Sequence, residues 1–468
     1  MVTPESSLRR RFSRGGLGVA ALDQAIPDQE TKDKQASYVS AFTRSEIELA
    51  GIGPQWLRDV RRAAIDSFTG LGFPTTRNEE WKSTNLAGVT SIPFEQTSRD
   101  HDSIRAEELI RSLPCGRNRL VFVNGSYTPE LSSPSAGNLI IGSLREALQQ
   151  GRPLLEQHLS RYADYRAHPF IALNTAFLGD GALVYVPARA IVEEPIHLVH
   201  ITTAGSHPLV SHSRNLIVLE ERSQASLIET YIGAAAPVSE NPYFTNAVTE
   251  IVGADGAVLD HYKLQMESEG SFHIATVQMV QSRGCHIRSH SFSFGAALAR
   301  TEVNTILSEG SDCTLNGLYV VGGNQHVDTR TSIDHAQPHG TSHELYKGIL
   351  DERSSAVFNG RIIVRKDAQK TDAKQTNKNL VLSEGSTINT KPELQIHADD
   401  VRCTHGATIG QLDNESLFYL RSRGIGREQA REILIAAFAR EVVDGVHVES
   451  LRTYLEEMLA ARLAREVK

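Results

Sequence analysis

The sequence predicts a mainly β protein with α-helical flanks, its core a parallel β-helix of stacked coils. Three observations carry this. Between residues 182 and 412 short apolar runs follow one another, separated by Gly, Ser, Asp and Asn, with no helical segment among them. Many of these runs alternate in polarity, as half-buried strands do. The interval from Ala257 to Cys285 equals that from Cys285 to Cys313, and later spacings are irregular. A period near 20–30 residues, with about two strands per repeat, is what coils require when each buries its apolar face only against the next. A β-sandwich is the rival, since it also yields many short strands.

The elements follow in order. Residues 1–35 read as a disordered extension, with an organellar transit peptide as the alternative; the RRRF run lacks the apolar stretch of a secretory signal. Residues 36–181 read as a mostly helical region. Within it, Trp56, Val60, Ala63, Ala64 and Phe68 fall at helical spacing, with basic residues on the other positions. GFPTTRNEEWKSTNL (72–86) reads as irregular with a short helix near Trp81, 103–113 as a short helix, RLVFVNG (119–125) as a strand and turn, and 142–178 as two or three helical pieces. The β-core occupies 182–412, with runs such as ALVYVPA (182–188), IHLVHIT (196–202), CTLNGLYVV (313–321) and AVFNGRIIV (356–364). Residues 413–468 form a C-terminal helical domain. Its first long helix carries Ala430, Ile433, Leu434, Ala437, Phe438 and Val442 as the main stripe, with Ile435, Ala436 and Ala439 outside it. The second carries Val448, Leu451, Leu455, Met458 and Leu459. A helix apolar on more than one face buries more than one face, either in a hairpin or against a partner. The coil stack is expected to fold without this tail.

Composition narrows the function. A net charge of −8 and a pI of about 6.1 argue against a general nucleic-acid binder. The longest apolar run, ILIAAFA (433–439), falls far short of the roughly 18 residues of a membrane span. The four cysteines, Cys115, Cys285, Cys313 and Cys403, are scattered, which fits a reducing compartment and a cytoplasmic location. No GxxxxGK[ST] phosphate loop occurs, so the chain does not hydrolyse nucleotide by itself.

Four constellations could carry chemistry. His335, His339 and His343 are spaced for one helix face, but Pro338 and Gly340 interrupt that helix and favour a loop. An independent metalloprotein built on these histidines is one reading. CHIRSH (285–290), as a strand, turns Cys285, Ile287 and Ser289 to the core and His286, Arg288 and His290 to solvent. The polar run 365–383 offers Lys366, Asp367, Lys370, Asp372 and Lys374, in kind the residues of a β-helix carbohydrate-active enzyme. In VRCTHGATIG (401–410), Cys403 and His405 share a face if the segment is a strand. Two such ligands make half of a site, because zinc and iron–sulfur clusters take about four.

STINTKPELQIHADDVRCTHGATIGQLDNESLFYLRSRGIGREQAREILIAAFAREVVDG (386–445), with the polar segment before it and GFPTTRNEEWKSTNL near the N-terminus, resembles the SufB/SufD family of iron–sulfur assembly scaffolds. Within it the chain resembles the SufD branch: CTHGATIG is similar to that branch's Cys-Ser-His-Gly-Ala-Thr motif, with Thr404 in place of serine. The cysteine that the SufB branch carries in the preceding segment is missing, and Asn377 and Asn379 stand there. The resemblance implies a right-handed parallel β-helix and a non-catalytic scaffold subunit. It implies a SufB-like paralogue, and a SufC-like ABC-type ATPase that docks on the C-terminal helices and supplies ATP hydrolysis. It further implies a transient iron–sulfur cluster at a subunit interface, with Cys403 and His405 as its ligands here. The isolated chain is expected to hold no cluster stably, with a homodimer as one possible state, and to bind neither nucleic acid nor membrane.

Overall fold

The computed structural model describes residues 29–96, 103–114, 116–134, 139–203, 207–233 and 241–465. The N-terminal region contains the helices Gln29–Ala50 and Gln55–Leu71, a 3-10 turn at Glu79–Trp81, and β1 (Glu95–Gln96). The helix Ser103–Arg111, β2 (Arg119–Val123), β3 (Ser126–Tyr127), β4 (Ile140–Ser143) and the helices Leu144–Gln149, Pro153–His158 and Pro169–Ala176 follow. The coil stack then runs through β5 (Ala182–Val186), β6 (Ile196–Thr202), β7 (Leu209–Leu219), β8 (Gln224–Gly233), β9 (Tyr243–Gly253), β10 (Val258–Met266), β11 (Phe272–Gln281) and β12 (His286–Ser293). It continues through β13 (Leu298–Leu307), β14 (Asp312–Val321), β15 (His326–His335), β16 (Thr341–Leu350), β17 (Ser355–Val364), β18 (Asp372–Val381), β19 (Thr387–Ile396) and β20 (Arg402–Gly410).

From β5 onward the odd strands pair in order in one sheet and the even strands in the other, all parallel, so each coil contributes one strand to each sheet. This is the expected parallel β-helix. The sandwich alternative needs antiparallel neighbours, and here the chain always crosses to the other sheet. The N-terminal region also joins the stack: β2 pairs in parallel with β6, and β1 with β7, so the coils begin before residue 182.

Alternation along each strand sends one set of side chains into the lumen. Ile217, Ile251, Val277, Met279, Val303, Ile333 and Ile362 face Leu198, Leu227, Leu259, Ile287 and Leu315 across it. The lumen is not wholly apolar. Lys263, Glu229, Glu267, His261 and His273 are all buried within it, with Lys263 Nζ 2.7 Å from His273 Nε2 and His273 Nδ1 2.7 Å from Glu267 Oε2. Burial brings the Lys263 ammonium down to about 8, against the opposing pull of Glu229 and Glu267.

The outer faces of both sheets are covered over part of their length. Phe68, Phe73, Trp81, Phe170 and Leu173 pack on Leu216, Val218, Phe244 and Val248 of the odd-strand sheet. Arg300 fastens this layer: its guanidinium lies 3.6 Å over the Trp81 ring, donates to the Glu80 carbonyl at 2.9 Å, and pairs with Glu302 and Asp328. On the even-strand sheet, Tyr262, Leu264, Phe292, Leu318, Val320 and Ile349 are covered by the helices Arg427–Val443 and Glu449–Arg465 through Ile435, Ala439, Val442, Leu451, Leu455 and Leu459.

Several expectations need correction. The Gln29–Ala50 helix starts inside the stretch read as disordered, tied down where buried Gln35 donates to the Phe68 carbonyl at 2.9 Å; residues 1–28 lie outside those described. Arg61, one of the basic residues outside the expected apolar stripe, is buried and donates to the carbonyls of Leu49, Ile52 and Leu178. In the Arg427–Val443 helix the buried stripe is Ala430, Ile435, Ala439, Val442 and Val443, whereas Ile433 is exposed. His290 is buried beneath the tail, near Gly445 and Tyr262, so only His286 of that face is open to solvent and Arg288 is half-buried. The equality of the two cysteine intervals is a coincidence. Val258 pairs with His286, which repeats the step from Ala257 to Cys285, but His286 pairs with Asp312, a shorter step.

Candidate functional site

The coil stack ends on β19 and β20, each the last strand of its sheet, so both present an unpaired edge. The tail covers the side of the stack and leaves this end open. Its strands are mostly exposed, and Ile396 (42%) and Ile409 (55%) are large apolar side chains left in water. Each edge strand, nine or ten residues long, turns the backbone donors and acceptors of alternate residues outward, a template for pairing with another chain.

Both expected ligands sit on this last strand. Cys403 pairs in register with Ala373, and His405 with Gln375, and both partners are buried lumen residues. Registered neighbours in a parallel sheet share a face, so Cys403 and His405 belong to the lumen face. Cys403 packs against the lumen core and is half-buried, while His405 is exposed at the mouth. Their Cα atoms, two residues apart along a strand, stand about 6.5–7 Å apart.

The cysteines divide clearly. Cys285 and Cys313 are fully buried, and burial pushes the Cys285 thiol up to about 12 and that of Cys313 well above its ordinary value, so both are inert. Burial and the Asp372 carboxylate also push the Cys403 thiol up. It therefore stays protonated until a cation reaches it, and ligation there releases a proton. Cys115 lies outside the described residues. Among the described residues no group of three or more His, Cys, Asp and Glu side chains is placed to hold a metal. A thiol and an imidazole on one face at an open end fit part of a ligand set for soft iron–sulfur chemistry, with the remainder coming from elsewhere.

Beneath the mouth lies a layer that residue spacing did not reveal. Gln375, under His405, donates through Nε2 to Glu344 Oε2 at 2.6 Å, and Glu344 is in turn the register partner of Gln375 one coil deeper. Burial pushes the Glu344 carboxyl up to about 7. Beside this column, Asn379 donates to Asn377 Oδ1 at 2.6 Å and accepts from the Tyr319 hydroxyl at 2.5 Å. Asn377 and Asn379 are thus interior structural polar groups.

The other constellations do not converge. His335 is buried and bonded to Ser342 Oγ at 2.9 Å, His339 occupies the turn at φ 61°, and His343 is exposed on the outer face of β16. Lys366, Asp367 and Lys370 lie on an exposed turn and Asp372 and Lys374 on the outer side of β18, with Lys370 paired to Asp400. On the C-terminal helices a separate open groove of about 830 Å³ is lined by Phe418, Tyr419, Leu420, Ile433 and Leu434, of which Phe418 (73%) and Tyr419 (58%) stand out into water.

Comparison with known proteins agrees with this architecture. The description "SUF system FeS cluster assembly, SufBD core domain" matches residues 200–438, and "SufBD protein N-terminal region" matches residues 32–198. An iron–sulfur cluster assembly SufBD family protein of Synechocystis is 36% identical over 451 residues, covering 94% of this chain and 98% of the relative. The iron–sulfur cluster assembly protein SufD of Escherichia coli is 34% identical over 395 residues, covering 84% and 90%. SufB of Bacillus subtilis is 24% identical over 400 residues, covering 82% and 84%.

Proposed function

Because this chain belongs to the SufBD family of iron–sulfur cluster assembly proteins, we propose that it is the SufD-like scaffold subunit of a SUF complex, with a nascent cluster as its cargo. The observation that carries this reading is the open last coil, which sets Cys403 and His405 on one face between two unpaired strand edges. A SufB-like paralogue closes that end by adding its own strands to β19 and β20, covers Ile396 and Ile409, and brings the missing ligands. A ligand set split between two chains also lets the cluster leave, since separating or shifting the chains breaks it.

The Phe418, Tyr419 and Ile433 groove is the docking surface for a SufC-like ABC-type ATPase, which supplies the nucleotide chemistry that this chain lacks. The complex works in the cytoplasm; no helix among the described residues is long and apolar enough to cross a membrane. The test is anaerobic reconstitution of the isolated chain beside the chain co-purified with its paralogue. The reading expects iron and sulfide to remain with the pair and not with the single chain. About one stable cluster per isolated chain overturns the split site.

A further inference from the structure

We propose that Gln375 is a positioning residue for His405, fixing which ring nitrogen of the imidazole faces the cargo. The inference rests on the ligand role assigned to His405 above and extends it to side chains in the coils beneath.

Gln375 is buried, it is the register partner of His405, and adjacent strands lie about 4.8 Å apart, so the amide and the imidazole are stacked neighbours on the lumen face. One end of the amide is already committed, because Nε2 donates to Glu344 Oε2 at 2.6 Å. Once Glu344 is ionised, above pH about 7, turning the amide over would set its oxygen against a carboxylate oxygen, so there the nitrogen stays on the Glu344 side. Gln375 Oε1 is thereby left as an acceptor, and it is buried with no hydrogen-bond partner among the described residues.

Space across the lumen is kept for this amide. Gly360 stands there, and a Cβ added to it would meet Gln375 Nε2 at 2.1 Å. Any side chain at that position would displace the amide from Glu344. A buried acceptor without a donor is a costly arrangement, and the register partner of Gln375 in the next coil, His405, carries a ring able to donate to it. That ring stands exposed at the mouth, so rotation about its side-chain bonds brings an N–H onto Oε1. An acceptor on one side of a neutral imidazole selects the tautomer protonated there and leaves the lone pair on the opposite nitrogen, directed away from the lumen. The column Glu344–Gln375–His405 thus sets the ligating nitrogen before any cargo arrives.

The test uses the full chain labelled with ¹⁵N-histidine, its His405 signals identified by their loss in His405→Ala. The pH is set above about 7, where Glu344 is ionised. There His405 should show a single tautomer in the wild-type chain and an average of two in Gln375→Leu. An averaged ring in the wild-type chain overturns the proposal without any variant having to fold, and so does a single tautomer that survives Gln375→Leu. In cells that depend on this system, Gln375→Leu should lower maturation of iron–sulfur enzymes roughly tenfold while pull-down of the paralogue is unchanged. Wild-type maturation by Gln375→Leu overturns the positioning role. Full complementation by His405→Ala instead removes the ligand reading and leaves the tautomer result standing, so the two failures are distinguishable.

Discussion

Cys403 and His405 share a face but not an environment, and the difference sets how each responds to change. The Cys403 thiol is half-buried against the lumen core, so Cys403→Ser keeps the shape and weakens only the soft ligand. We expect it to reduce iron–sulfur enzyme maturation less than loss of His405 does, measured in the same complementation assay. Glu344 gives a prediction in solution. Its carboxyl is raised from 4.5 to about 7 by burial, so the folded state holds this proton more tightly than the unfolded state. Its contribution to stability is fully present below pH about 4.5 and is lost as pH rises through about 7. The slope of that loss is on the order of 1.4 kcal/mol for each tenfold fall in proton activity. Glu344→Gln should remove this slope in denaturant titrations and gain on wild type as pH rises through that window; an unchanged slope would show that the carboxyl is not buried as described. The C-x-H spacing put Cys403 and His405 on one face of a strand, and the family resemblance singled them out as ligands. Gln375 and Glu344 were not legible in the sequence, because only coil register joins them to His405. Register cannot be read where the step varies from coil to coil, being longer from Gln224 to Val258 than from His286 to Asp312.

At the scale of elements, alternation and turn spacing revealed the coil stack because each strand buries one face in the lumen. They did not reveal which face of each flanking helix is buried, since that depends on the sheet it meets. In the Arg427–Val443 helix, Ile435 and Ala439 meet the even-strand sheet, and Ile433, in the expected stripe, faces the groove. The tail is therefore part of the core. Deleting residues 413–468 would bare Tyr262, Leu264, Phe292 and Val320 and should unfold or aggregate the coils rather than merely release a partner. The sharper test of docking is Phe418→Asp: the residue is exposed, so thermal stability should change by less than about 0.5 kcal/mol while co-purification of the ATPase is lost. Retained co-purification would move the docking surface elsewhere. Inside the stack, Lys263→Met removes the partner of His273 Nε2 and should cost about 1–3 kcal/mol in denaturant unfolding, as leaving a buried polar group unpaired does.

For the whole molecule, helices cover part of both sheet faces, and the coil end at β19 and β20 is left open. Packing thus leaves open the end where the thiol and the imidazole stand. The open end lets His405 be tested apart from the fold, because its ring is exposed and its removal should cost about 1 kcal/mol or less. The most direct measurement is complementation of a strain lacking this gene by His405→Ala, with pull-down of the paralogue and the ATPase from the same cells. The expected result is an intact complex that fails to mature iron–sulfur enzymes. Full complementation, or failure accompanied by loss of the complex, would contradict the assignment of His405 as a cluster ligand at a shared interface.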